Sequence, residues 1–148
     1  ANALRRSISI GEQDVVPRIS DLPFIMPSLQ GKIEFEAMED GQENKIMENL
    51  FSAAIKSVFE RFVDVNDMEE LSLHFTDGIH VTIGESVPAA DYVSIIQRID
   101  GLDEVVTKIA NSSNPSVRAS AAEFILEGLH INQLLNKDRV SGRTTYRG

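Results

Sequence analysis
His74 and His80 flank an Asp77-Gly78 pair. Across a β-hairpin the two imidazoles approach each other, and with Asp77 they form a possible ligand set for a divalent ion. Two ordinary surface or half-buried imidazoles are the plainer account, since the chain holds no His-x-x-x-His or His-Glu-x-x-His pair. Glu34 and Glu36 share one face of a potential strand, with Glu39, Asp40 and Glu43 close after. Paired carboxylates do acid–base work or hold Mg²⁺ or Ca²⁺ when other ligands or an apolar pocket stand nearby. No such neighbour is evident, so the pair reads as a solvated acidic edge. Such an edge blunts a strand against aggregation or meets a basic partner.

Other chemistry leaves little trace. A phosphate-cradling loop needs G-x-x-x-x-G-K-[ST], and Gly31-Lys32 lacks the first glycine and the hydroxyl. The nucleophile elbow G-x-S-x-G is absent. The tail "NKDRVSGRTTYRG" carries Lys137, Arg139, Arg143 and Arg147 against Asp138 alone. It reads as a partly flexible terminus, or as a segment packed on the acidic body. No catalytic, cofactor-binding or metal-ligating residue is expected. The candidates that remain are for interaction: Arg18, Asp21, Glu34, Glu36, Lys137 and Arg139.

These residues must be positioned by a chain of 148 residues, enough for one domain with its own core. Lys and Arg number 14 against 23 Asp and Glu, a net charge of -9 that repels nucleic acid and anionic lipid. With no cysteine, disulfides and thiolate-bound zinc are excluded. No apolar run has the length of a membrane span, and the start lacks the core of a signal peptide. The cytoplasm is the expected location.

"ANALRRSI" reads as the last turns of a helix stopped by Gly11, so the chain is expected to begin inside an element. Pro17 makes Val16 extended, and Ser20 is expected to cap a short helix through Leu22, Ile25, Met26 and Leu29, kinked by Pro27 and ended by Gly31. "KIEFEAM" alternates as a strand. From about Gln42 to Phe62 the pattern predicts the central helix, with Ile46, Leu50, Ala53, Ala54, Val58 and Phe62 on the packed face. Residues 66–84 fit either a hairpin or a helix from Asp67 to Phe75 followed by a strand from Ile79 to Ile83; the second is preferred. Helices follow from Pro88, over "LDEVVTKIA", and from an Asn114 cap with Pro115 at its first position, continuing toward Leu134. Gly128 inside the last helix marks either a close helix approach or nothing in particular. The expected fold is mainly α, a helical domain with a small two-stranded β element.

"NALRRS", "VPRISDL", "LPFIMPSLQGKIEFE", "ENKIMENLFSAAIKSVFERF" and "FILEGLHINQLLNKDR", in that order, resemble the C-terminal region of AAA+ ATPases of the magnesium-chelatase I-subunit and MoxR-like group. The nearest type is the bacterial chelatase-like proteins sometimes labelled sigma-54-interacting regulators. The resemblance implies that residues 1–14 are the end of the family's helical lid with its linker, and 15–148 a helical extension domain. It places the ATPase core, with its ATP and Mg, outside this chain, so no catalytic residue carries over. The implied partners are the chain's own AAA+ core, neighbouring ring subunits and a protein with a von Willebrand A-type domain. Membrane and nucleic acid are not expected partners. Arg18 and Asp21 would fix the joint between lid and extension by a salt bridge or caps. The expected function is non-catalytic assembly or docking in an ATP-driven remodelling or metal-insertion machine. A standalone helical adaptor, or a small metal-binding protein using His74, Asp77 and His80, is the alternative.

Overall fold
The computed structural model describes residues 1–29, 42–75 and 78–148. The chain is mainly helical, with seven α-helices and one three-stranded antiparallel sheet among these residues. Helix α1 spans Asn2–Ile10, and a 3₁₀ segment Ile19–Phe24 leads into the single turn α2, Met26–Leu29. Helices α3 (Gln42–Phe59) and α4 (Val65–Phe75) precede strand β1, His80–Gly84. Helices α5 (Asp91–Gln97), α6 (Leu102–Ala110) and α7 (Pro115–Ile131) follow, then strands β2 (Asn136–Val140) and β3 (Arg143–Arg147). No helix among the described residues is long and apolar enough to cross a membrane.

The central helix is α7, not α3. The Asn114 side chain accepts from the Ser116 N–H at 2.8 Å and Pro115 fills the first turn, as the sequence leads one to expect. Beyond that start the helix is buried on nearly every side, at Ala119, Ala122, Ile125, Leu126 and Leu129. It packs on α3, α5, α6 and the 3₁₀ segment. Its small residues let neighbours come close: a Cβ on Gly128 would overlap the ring of Phe59. That ring meets Phe124 edge-on, at 5.6 Å and 69°. The helix stops at Ile131, short of Leu134.

Helix α3 is turned differently from its sequence pattern. Met47 and Phe59 are buried, with Phe51 and Ile55 half-buried, whereas Leu50, Ala53, Ala54 and Val58 are exposed, as is Phe62, which lies beyond the helix end at Phe59. The wide apolar stripe is real, but only one side of it meets the body. Helix α4 and the strand after it form as preferred, so the hairpin alternative for residues 66–84 falls away.

The sheet has three strands where two were expected, in the order β1-β3-β2. The tail is not a loose terminus. Thr144, Tyr146 and their neighbours pair with β1, Val81 opposite Tyr146 and Thr82 opposite Thr145. Ser141 and Gly142 both take positive φ, 49° and 79°, the pattern of a tight two-residue hairpin turn. Tyr146 is the anchor: its side chain lies fully buried against the core. The strand expected over 32–38 and the helix stop at Gly31 lie outside the described residues.

Candidate functional site
The chain reverses at Gly11, whose left-handed backbone (φ 73°) ends α1. The Glu12 N–H then donates to Ser7 O at 2.8 Å, bringing Glu12 back beside the helix. Pro17 holds the next residues extended, and Arg18 (φ −125°, ψ 164°) opens the 3₁₀ segment. The turn and the proline together place four charged side chains in one buried cluster.

Arg6 and Arg18 have no exposed side-chain surface, and Glu12 and Asp21 have less than a tenth. Arg6 donates to Glu12 Oε2 at 2.8 Å, to Val16 O at 2.7 Å and to both Asp21 oxygens at 3.3 Å. Arg18 donates to Glu12 Oε1 and, at 2.9 Å, to Val87 O. Glu12 Oε1 also accepts the Ala89 N–H at 2.7 Å. Asp21 accepts from Asn2 Nδ2 at 2.8 Å and from the Arg18 N–H at 2.9 Å. Burial opposes the charge on Arg6, but the hydrogen bond and charge of Asp21, then those of Glu12, outweigh it and raise its pKa. The cluster ties α1, the linker, the 3₁₀ segment and the start of α5 into one piece. Its donors and acceptors, Arg18 Nε apart, are taken up internally, so its chemistry is that of a clamp. Among the described residues, Arg18 Nε alone is a buried side-chain polar atom without a partner.

The clamp continues into α7. The Arg18 guanidinium lies 5.0 Å above the Tyr92 ring. Tyr92 donates its hydroxyl to Glu123, which also accepts the Ser20 N–H at 2.8 Å. Burial raises the Glu123 pKa against the opposing bonds from Tyr92 and Ser20. Burial, followed by the charge of Glu123, also raises that of Tyr92. One turn on, Glu127 takes the Tyr146 hydroxyl and the Lys137 ammonium, the latter at 2.7 and 2.8 Å. Burial and the Glu127 charge push the Tyr146 pKa up.

Arg18 and Asp21, expected to pair or to cap, meet as a cap: the Arg18 N–H donates to the Asp21 carboxylate at 2.9 Å at the start of the 3₁₀ segment. Arg18 and Asp21 are buried rather than an exposed pair, and their side chains do not pair with each other. Arg18 goes to Glu12 and Asp21 to Arg6. Ser20 is not a helix cap; its hydroxyl lies 3.2 Å from Glu123. Lys137 is held by Glu127, and Arg139 stands exposed two residues along β2. Glu34, Glu36 and Asp77 lie outside the described residues. His74 instead lies 4.0 Å from Asp100, and no metal-binding group of three or more occurs among the described residues. Arg6, Glu12, Glu123 and Glu127 were missed, because no local pattern separates them from surface charges.

A cleft of about 630 Å³ lies beside this second carboxylate. Ile19 and Leu22 line it from the 3₁₀ segment, Phe51 and Ile55 from α3. Glu127, His130, Lys137 and Arg139 supply its polar end, and Glu48 lines it from α3. In comparisons with known proteins, no family model, curated protein or solved structure matches the chain.

Proposed function
We propose that the chain is a non-catalytic interaction and assembly domain from the C-terminal region of a chelatase-like AAA+ ATPase. The parent would bind ATP and Mg in its core and remodel a protein or insert a metal. The observation that carries the reading is the inversion of α1. Arg6 and Ser7 face inward, while Leu4 and Ile8, one turn apart, are 50% and 73% exposed. A surface helix ordinarily turns its apolar residues to its own core. A helix clamped the other way round offers an apolar ridge to another surface. In this reading that surface belongs to the AAA+ core or a neighbouring ring subunit, and the exposed side of α3 is left for a von Willebrand A-type partner. The prolines and the clamp stiffen the joint, so that movement of the motor reaches the extension.

A first test is the reading frame, where a Walker-type loop upstream of Ala1 is expected. The second is co-elution of this chain with that ATPase core in size-exclusion chromatography. Leu4→Asp with Ile8→Asp is expected to abolish co-elution while leaving the helical spectrum unchanged. A core that ignores the folded chain, or ATP turnover by the chain alone, overturns the reading and leaves the helical adaptor.

A further inference from the structure
We infer that the cleft between α3 and the Ile19–Phe24 segment binds a small soluble anionic amphiphile, a molecule with one carboxylate-like head and an apolar body. The inference is independent of the AAA+ reading. The cleft's volume of about 630 Å³ falls within the roughly 300–1,000 Å³ of ligand sites, which join apolar walls to a few convergent polar groups. The basic groups stand at the β2 end, and the apolar residues come from two facing elements, with Glu48 and Ser52 interspersed on α3. Ile19 and Leu22 face the cleft from one element and Phe51 and Ile55 from another, so an apolar body has two walls.

The charge is at the β2 end. Lys137 gives two contacts to Glu127, which leaves one of its three N–H groups for a ligand. Glu127 is already engaged by Lys137 and Tyr146, so its charge is balanced in place. Arg139 lines the same cleft and has no acidic partner among the described residues. His130 uses Nδ1 toward Leu135 O at 3.0 Å, leaving Nε2. At the β2 end, where Lys137 is paired with Glu127, the charge left uncompensated is that of Arg139, and Glu48 balances it only from the opposite wall on α3. Glu48 stands on α3, so an anionic head is directed to β2 and the body lies between the walls.

The experiment is calorimetric titration of the full chain with decanoate, below its micelle concentration. One molecule per chain is expected to bind. Arg139→Glu and Phe51→Asp are each expected to weaken binding by about tenfold or more. Arg139 is exposed, so its variant folds even if Phe51→Asp does not. Leu50→Asp, on the exposed side of α3, is expected to leave binding unchanged. The inference is overturned if decanoate does not bind, or if decanol binds equally well. It is equally overturned if binding survives Arg139→Glu and is lost with Leu50→Asp, which places the probe on the exposed helix face.

Discussion

Glu123 and Glu127 stand one turn apart on α7, and each accepts the hydroxyl of a buried tyrosine, Tyr92 for the first and Tyr146 for the second. These are the protein's two tyrosines. The arrangement crosslinks the central helix to α5 on one side and to the sheet on the other. It also makes the fold readable by titration.

Both tyrosine pKa values are raised above the ordinary value near 10 by burial and by the adjacent carboxylate. The stability linked to them is whole below pH 10 and is lost as pH rises through the raised folded values. Tyrosinate absorbance is therefore expected to stay flat through pH 10 in the folded chain. It should then appear for both residues in one step, together with loss of helical circular dichroism. A tyrosine that ionises near pH 10 while the helices persist is incompatible with the two buried bonds.

Glu123 adds a dependence at lower pH. Burial raises its pKa from 4.5, so its protonated form is favoured by folding. Its contribution to stability is complete below about pH 4.3 to 4.5 and declines as pH rises through the raised folded value. Glu123→Gln keeps the shape and removes the ionisation. Urea unfolding of the variant is expected to be less pH-dependent than that of the parent from pH 4.5 to 7. The stability difference should move in the variant's favour as pH rises. Parallel pH profiles for the two proteins contradict this assignment.

The clamp makes a different kind of demand. Glu12 holds both Arg6 and Arg18 inside the protein. Removing one partner of a buried ion pair typically costs about 3–5 kcal/mol, because the remaining charge is stranded. Glu12→Gln is expected to release α1 and the linker before the rest of the chain unfolds. Hydrogen exchange reads this directly: the amides of α1 should lose protection while those of α7 retain it. Unchanged protection in α1 argues that Asp21 and the backbone carbonyls suffice to hold the arginines.

How far these contacts were visible beforehand depended on whether their signal was local. Asn114-Pro115 announced α7 because a cap and a first-turn proline are adjacent in sequence, and Gly11 announced the end of α1 for the same reason. The inward face of α3 was misjudged because apolar residues surround much of that helix. Periodicity cannot choose between Leu50 and Phe59 when only packing on Gly128 separates them. The tail's charges obscured its Ser141-Gly142 turn and the alternation of Thr144 and Tyr146, which together were a hairpin signal. The ionic cluster was less accessible still. Arg6 and Asp21 are 15 residues apart and Ser20 and Glu123 are 103 apart, so these partners meet only through folding. Glu123 and Glu127 at i,i+4 look like a solvated face until Tyr92 and Tyr146 are brought against them.

Gly128 offers the sharpest test of the packing of α3 on α7. Alanine in a helix interior is favoured over glycine by about 1 kcal/mol. A new Cβ here would overlap the Phe59 ring, which is fully buried and cannot swing into solvent. Overpacking of this kind typically costs about 1–3 kcal/mol, enough to outweigh the gain in propensity. Gly128→Ala is expected to lower the unfolding midpoint. Phe59→Leu, harmful alone through a lost contact with Phe124, should be less harmful in the Gly128→Ala background because the smaller side chain makes room for the methyl group. A double-mutant cycle measures that coupling. Additive effects, or a Gly128→Ala chain more stable than the parent, would mean that α3 does not sit on α7 with its Phe59 ring against Gly128.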